Sequence, residues 1–198
     1  MFTALLDTSV LWPSLQRDVL LSFAVEGLFR PTWSSAILDE LAFHEEKKLV
    51  ERRGVDREEA GQRAANLIGA MRAAFDDAEV QGWEALEGSY GLPDPDDEHV
   101  AAAAVVAGAG MIVTHNLKDF PRDRVPASIE VQSPAEFAHN TVSLNPPAAL
   151  RAIKSVAGRS GHRGPVLTVP GILDTLNDRY GFTDAVVFLR EQAPPTDR

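Results

Sequence analysis

The alternation of short apolar runs with longer amphipathic stretches constrains the fold of this chain most. Three runs read as short buried strands: residues 2–6, 111–114 and 129–131. The stretches with helical spacing between them cover residues 35–53, 57–75 and 97–107. Strands that alternate with helices predict an α/β fold, in which a central, mostly parallel sheet is flanked by helices.

A domain boundary is predicted at residues 140–147, after a helix that begins at the capping sequence Ser133-Pro134-Ala135-Glu136. Residues 1–140 are expected to form the α/β domain. Residues 144–198 are expected to form a C-terminal helical extension of two or three short helices. Their predicted starts lie near Pro147, Pro170 and Thr183.

The composition limits the chemistry that the chain can use. The apolar fraction of 44% and the charged fraction of 24% are typical of globular proteins. The chain has no cysteine, which excludes disulfides, cysteine nucleophiles and thiolate metal sites. Any metal must be held by oxygen ligands or histidine, which favours Mg²⁺ or Mn²⁺. No membrane span or basic leader is recognised, so a cytoplasmic location is expected.

The net charge of −10 argues against a nucleic-acid binder, because such proteins usually carry a basic surface. The charge is unevenly distributed, however. Residues from 144 onward hold seven Lys or Arg and five Asp or Glu, so the acidic excess lies in residues 1–143. The overall charge therefore does not exclude a nucleic-acid substrate.

Two further sets of residues bear on the question of nucleic-acid contacts. Four basic residues close to one another are candidates for phosphate contacts, although a solvated helix face and loop is the favoured alternative: Arg151, Lys154, Arg159 and Arg163. The tryptophans are interpreted as packing residues rather than base-stacking platforms: Trp12, Trp33 and Trp83.

Asp7 is the first candidate metal ligand. It directly follows the apolar run 2–6, and Thr8 and Ser9 come next. A carboxylate at the end of a buried strand can ligate a metal ion while neighbouring hydroxyls orient it. The alternative is that Asp7 caps the following helix.

Glu40 is the second candidate. At 100° per residue, it lies on the flank of the helix face that Ile37 and Leu41 bury, whereas Asp39 points nearly opposite. Glu40 is therefore predicted to face a site at the edge of the core. His44, one turn further on, is predicted to orient it. The alternative is an ordinary surface glutamate.

A third group lies at the start of the Ala-rich helix, where four acids fall within five positions: Asp94, Asp96, Asp97 and Glu98. Negative side chains suit a helix N-terminus, which explains some of them. So many like charges are costly together unless a cation is present.

The fourth candidate segment follows the strand 111–114. This strand ends in Thr114, and Asn116 and Asp119 come after it. Since ligands of parallel sheets bind beyond the carboxyl ends of the strands, this segment and Asp7 are predicted to share one edge of the sheet. The alternative is an ordinary turn.

Taken in order, these four segments resemble the PIN-domain ribonucleases, particularly the VapC-type toxins of bacterial toxin–antitoxin pairs. The family pattern is an Asp after the first strand, a helical Glu, an Asp that opens an Ala-rich helix, and T-x-D-x-D-F after the next strand. The matching positions are Asp7 with Ser9, Glu40, Asp97, and Thr114 to Phe120. The resemblance covers roughly residues 2–138. Asn116 stands where the family usually has Asp.

The resemblance implies that residues 1–140 form a PIN-like nuclease domain that hydrolyses RNA phosphodiester bonds with Mg²⁺ or Mn²⁺. The implied catalytic residues are Asp7, Glu40, Asp97 and Asp119. The implied metal ligands are Asp7, Asp97, Asp119 and Asn116, with Ser9 and Thr114 in support. The implied partners are an RNA substrate, a protein antitoxin and a second copy of the chain in a homodimer.

Two other functions stay open at this point. One is a structure-specific or RNA-processing nuclease. The other is a catalytically silent PIN-like module that binds RNA or protein, and Asn116 is the feature that favours it.

Overall fold

A computed structural model describes residues 1–161 and 164–192. The chain forms two compact units. One is an α/β unit made of residues 2–12 and 31–131, and the other is a helical unit made mainly of residues 13–30 and those from 132 onward.

The sheet has five strands in the order β3-β2-β1-β4-β5. Their bounds are Thr3–Leu6 (β1), Arg30–Ser34 (β2), Glu79–Val80 (β3), Met111–Val113 (β4) and Glu130–Gln132 (β5). β1 is parallel to β4, with Leu5 opposite Ile112, and β2 is parallel to β3. The predicted α/β fold with a central parallel sheet, flanking helices and a helical C-terminal region is confirmed.

The helices in chain order are Thr8–Leu11 (α1), Ser14–Val25 (α2), Ser35–Arg53 (α3), Arg57–Ala74 (α4), Glu98–Val106 (α5), Pro134–Leu144 (α6), Pro146–Arg159 (α7), Val169–Tyr180 (α8) and Thr183–Gln192 (α9). Short 3₁₀ turns cover Glu84–Leu86, Pro95–Asp97 and Leu117–Asp119. None of the helices in the described part of the chain is long and apolar enough to cross a membrane.

Local sequence signals explain where the helices of the α/β unit begin and end. Ser34 caps α3, because its Oγ accepts a hydrogen bond from Ile37 N at 3.2 Å. Gly54 ends α3 with a φ of 62°, a left-handed conformation that favours glycine. Helix α5 packs on β1 and β4, and its alanines at positions 101–104 are fully buried.

In the helical unit, α2 packs against α7 and α6 packs against α9. Phe29 and Phe137 meet edge to face, with ring centroids 4.8 Å apart. Ser133 caps α6 by accepting from Glu136 N at 3.2 Å, as the capping sequence predicts. That residues 144–198 form a domain separate from residues 1–140 stays a prediction.

The sequence analysis missed β2, β3 and α2. β2 contains Pro31 and a single large apolar residue, Trp33, so it lacks an apolar run or a clear alternation. β3 is two residues long. Helix α2 buries Gln16 and Arg17, which breaks the amphipathic pattern that would reveal a helix.

Glu98 stabilises the loop that precedes α5 through hydrogen bonds to its backbone. Its side chain is buried at 4% exposure, and its carboxylate accepts hydrogen bonds from Tyr90 N at 3.0 Å and from Leu92 N at 2.8 Å. Burial raises the pKa of Glu98, but the backbone N–H donors outweigh it and hold this pKa below its ordinary value. Glu98 therefore has a structural role.

We predict that Glu98→Gln destabilises the protein by about 1.5 kcal/mol at pH 7, because an amide replaces a charged acceptor of two N–H groups. A lowered pKa stabilises the folded state above the ordinary pKa of the group, and this contribution is lost as the pH falls through the folded-state value. The difference between wild type and variant should therefore shrink in acid. Urea unfolding at pH 7 and pH 4 measures it, with the exposed Glu87→Gln as control. Equal stability of Glu98→Gln and wild type at pH 7 would contradict this role.

Candidate active site

Asp7 lies at the carboxyl end of the central strand β1, where its backbone N–H donates to Val113 O of β4 at 3.1 Å. Its side chain is 5% exposed. Asp7 occupies the N-cap position of α1, but its carboxylate caps no N–H group. The capping alternative for Asp7 therefore does not account for its carboxylate.

Two hydroxyls orient the Asp7 carboxylate. Ser9 Oγ and Thr114 Oγ1 each donate to Asp7 Oδ2 at 2.6 Å. The same hydroxyls accept from the backbone, Ser9 from His115 N at 3.2 Å and Thr114 from Asn116 N at 3.0 Å. Both predicted supporting residues thus contact Asp7. Among the described residues, Oδ1 of Asp7 receives no hydrogen bond.

Glu40, on α3, is held through both carboxylate oxygens. Thr8 Oγ1 donates to Oε2 at 2.6 Å, and His99 Nε2 lies 3.1 Å from Oε1. Burial raises the pKa of Glu40, but hydrogen bonds from His99 and Thr8 outweigh it and lower this pKa below its ordinary value. Glu40 is therefore an ionised carboxylate with a fixed orientation.

The sequence analysis predicted that His44 orients Glu40, and this prediction is wrong. The histidine that orients Glu40 is His99. His44 acts on Glu40 only through its charge, and it lowers the pKa of Glu40 less than His99 and Thr8 do. Burial lowers the pKa of His99, but the hydrogen bond and charge of Glu40 raise it above its ordinary value. The sequence analysis missed His99. The sequence signal that could have found it is its position, since His99 comes two residues after Asp97 at the start of the Ala-rich helix.

Asp97 lies at the N-terminus of α5, but its side chain does not cap that helix. Its Oδ2 is buried and has no hydrogen-bond partner within the described part of the chain. Burial, and then the negative charges of Asp7, Asp94 and Asp119, raise the pKa of Asp97 to about 6, with His99 opposing them. Asp97 is therefore the least compensated carboxylate of this segment.

The other acids of the segment have different surroundings. Asp94 caps the short turn before α5, because its Oδ1 accepts from Asp96 N at 3.0 Å. Asp96 is exposed, and Glu98 binds backbone N–H groups of the preceding loop. This distribution leaves Asp97 as the member of the segment that faces a site.

A pocket of about 320 Å³ brings most of the candidate residues together. Its lining is Asp7, Thr8, Ser9, Trp12, Glu40, His44, Asp97 and Asn116. Asp119 does not belong to this lining, although its charge acts on Asp97. The Asp119 side chain is largely buried, with Lys118 Nζ 3.9 Å from Oδ1. Asn116 is exposed at the pocket, where its amide oxygen is a possible neutral ligand.

The predicted basic contacts lie on α7 of the helical unit. Arg151 Nε forms an ion pair with Glu26 at 2.8 Å, and Arg159 donates to Ser22 Oγ at 2.6 Å. Lys154 is exposed. Arg163 lies outside the described residues. A role of these residues in RNA binding stays a prediction.

The residues of the pocket fit a divalent cation. Carboxylates crowded together, one of them with a buried oxygen that lacks a donor, are stabilised by a bound cation. Among the described residues, no three Asp, Glu or His side chains are arranged to hold a metal ion by themselves. Mg²⁺ is consistent with this arrangement, because it keeps several waters and is commonly bound by one or two carboxylates and a substrate phosphate.

We predict that Asp97→Asn raises the melting temperature of the metal-free protein by about 2–4 °C at pH 7.5. The raised pKa means that ionised Asp97 destabilises the folded state above pH 6, and that protonation removes this cost as the pH falls towards 3.8. The gain should therefore shrink below pH 5. Thermal unfolding in EDTA measures it, with the exposed Asp96→Asn as control. A variant that melts below wild type at pH 7.5 would contradict the crowding of charges.

The PIN domain family matches residues 3–118 of the chain. The matched segment contains Asp7, Glu40, Asp97 and Asn116, and Asp119 follows it directly. No curated protein and no solved structure gives a significant match. PIN domains are generally nucleases and typically use divalent metal ions. Since the match spans more than half of the chain, this protein belongs to the PIN domain family.

Proposed function

We propose that this protein is an endoribonuclease that hydrolyses RNA phosphodiester bonds with Mg²⁺ or Mn²⁺, and that it is the toxin of a toxin–antitoxin pair. The observation that carries the nuclease proposal is Asp97. It is a partly buried carboxylate with a raised pKa and an unpartnered oxygen, in a pocket with two other acids. Such a group is typical of a functional site, because the fold alone gains nothing from it.

Asp7 and Asp97 are the residues that would hold the metal ion, with Asn116 and Asp119 as further ligands. A bound divalent ion supplies Lewis acidity towards the phosphate and activates water for hydrolysis. Asp7 has little freedom to rearrange, because Ser9 and Thr114 fix its Oδ2. This preorganisation lowers the cost of ordering the site when the substrate binds.

Glu40 orients the attacking water in this proposal. A lowered pKa makes Glu40 a weak base but keeps it ionised, so that it accepts a hydrogen bond from the water. Thr8 and His99 hold the carboxylate while it does so. His99 is a positioning residue, because it contacts Glu40 and does not line the pocket.

No covalent intermediate with the protein is required. The hydroxyls nearest to the site, those of Thr8, Ser9 and Thr114, each donate to a carboxylate. The chain has no cysteine. Direct attack by water on the phosphate is therefore the reaction that suits these residues.

The order of the motifs along the chain supports RNA as the substrate and the toxin role, since this order resembles the VapC-type toxins. A protein antitoxin and a homodimer belong to the same proposal. The second candidate function is a catalytically silent module that binds RNA or protein. Asn116 favours it, because an amide in place of a carboxylate removes one negative charge from the metal site.

We predict that Asp7→Asn and Asp97→Asn each lower the rate of RNA cleavage at least about 100-fold, because each removes a charge that would hold the metal. Purified protein is incubated with structured RNA in Mg²⁺, in Mn²⁺ and in EDTA, and EDTA should abolish cleavage. Asp39→Asn is the matched control, since Asp39 is the exposed neighbour of Glu40 on α3. Undiminished cleavage by either site variant, or cleavage in EDTA, would refute the proposed metal site. Wild type that binds RNA without cutting it would favour the silent module.

For the toxin role, we predict that induced expression of the wild type arrests bacterial growth and that Asp97→Asn does not. Coexpression of the protein encoded next to this chain should restore growth and form a complex that can be purified. Growth curves and size-exclusion chromatography measure the two effects. An active nuclease that leaves growth unaffected would favour RNA processing instead.

A further inference from the structure

Trp83 contacts a residue that orients the candidate active site. Its side chain is 7% exposed, which agrees with the interpretation of this tryptophan as a packing residue. The indole also meets the imidazole of His99, with ring centroids 6.0 Å apart and an angle of 60° between the ring planes. His99 is itself 5% exposed, and its Nε2 lies 3.1 Å from Glu40 Oε1. Contacts therefore run from Trp83 through His99 to Glu40, which lines the pocket.

The contact with Glu40 does not by itself fix the plane of the His99 imidazole. The other ring nitrogen, Nδ1, is buried and has no hydrogen-bond partner within residues 1–161 and 164–192. In many sites the second nitrogen of a functional histidine binds a carboxylate or a backbone carbonyl, and this bond sets the orientation of the ring. For His99 the edge-to-face contact with Trp83 takes the place of that bond, because aromatic pairs prefer such a geometry.

The backbone around Trp83 is held against α5. Trp83 O accepts a hydrogen bond from Leu86 N at 3.0 Å, and the 3₁₀ turn Glu84–Leu86 packs on α5. Glu98, the neighbour of His99, binds two backbone N–H groups further along the same loop. Two adjacent residues of α5 thus join the helix to this loop, Glu98 through hydrogen bonds and His99 through its ring contact with Trp83.

We infer that Trp83 is a positioning residue for RNA hydrolysis, which holds His99 in the orientation that directs Glu40 at the attacking water. This inference rests on the proposed nuclease function and deepens it. Trp83 and His99 are not part of the pocket lining, so Trp83 acts through its neighbours and does not contact the substrate. A small displacement of a group that orients water slows the chemical step. Loss of the indole should therefore lower kcat and leave KM nearly unchanged.

The first test measures kcat and KM of RNA cleavage for Trp83→Met. Methionine fills much of the volume of the indole but has no rigid ring, so the fold should persist while the orientation of His99 is lost. We expect kcat to fall about tenfold and KM to change less than about twofold. Trp83→Phe keeps an aromatic ring and should recover kcat to within about threefold of wild type. Unchanged kcat of Trp83→Met would overturn the inference.

Phe75→Leu is the matched control. It removes one ring of the edge-to-face pair that Phe75 forms with Trp33, whose centroids lie 5.8 Å apart, and neither ring lines the pocket. Its kcat and KM should equal those of wild type. Thermal unfolding of each variant verifies that the protein in the assay is folded.

A double-mutant cycle separates positioning from a merely structural role. His99→Gln removes the ring on which Trp83 acts, but it keeps an amide that can donate to Glu40. In the His99→Gln background, Trp83→Met should lower kcat by less than about twofold, because the two residues act through one contact. A structural role would lower kcat by the same factor in both backgrounds, and that result would overturn the inference.

Crystal structures of wild type and Trp83→Met separate this inference from the proposed nuclease function. A wild type that cuts no RNA refutes the nuclease function. The support of His99 by Trp83 still holds if the variant moves His99 Nε2 more than about 3.5 Å from Glu40 Oε1, beyond hydrogen-bond range. A separation that stays at 3.1 Å overturns it. Trp83→Leu is a second variant for the same comparison, which guards against misfolding of Trp83→Met.

Discussion

The parallel pairing of β1 with β4 is the interaction on which the whole site depends. Leu6 lies opposite Val113, so the next residue of each strand, Asp7 and Thr114, emerges at the same edge of the sheet. Because the strand residues at this point are fully buried, the register cannot slip without exposing apolar side chains. The hydrophobic core therefore sets the distance between a carboxylate and its hydroxyl donor to within hydrogen-bond range.

The acids near this edge fall into two groups with opposite effects on stability. Glu40 and Glu98 are compensated by donors, and their pKa values are lowered. Asp97 is not compensated, and its pKa is raised. Proteins retain such an unfavourable group where function requires it, because the fold would be more stable without it. Asp97 and its neighbour Glu98 illustrate the two groups side by side. Glu98 holds the preceding loop through two hydrogen bonds, whereas the charge of Asp97 is left uncompensated by the fold.

Much of the fold follows from local sequence signals, and less of the site does. The apolar run before Asp7, the Ser34 cap and Gly54 predict β1 and the limits of α3 within one residue or so. β2 could not be predicted, because its strand pairing comes from neighbours distant in sequence and not from its own composition. The contact of His99 with Glu40 could not be predicted for the same reason, because it joins α5 to α3, two helices that are distant in sequence. Periodicity shows which face of a helix a residue occupies, but not which residue of another helix lies opposite.

The hydrogen bonds of Asp7 have a consequence for how it can bind a ligand. Each hydroxyl that donates to Oδ2 also accepts from a backbone N–H, and a hydroxyl polarised in this way is a stronger donor. Both such donors converge on one oxygen. The two oxygens of this carboxylate are therefore chemically unequal: Oδ2 accepts from two hydroxyls, while Oδ1 receives no hydrogen bond among the described residues. In the proposed metal site, Oδ1 is therefore the oxygen of Asp7 that would hold the cation, while Oδ2 stays with its two hydroxyl donors.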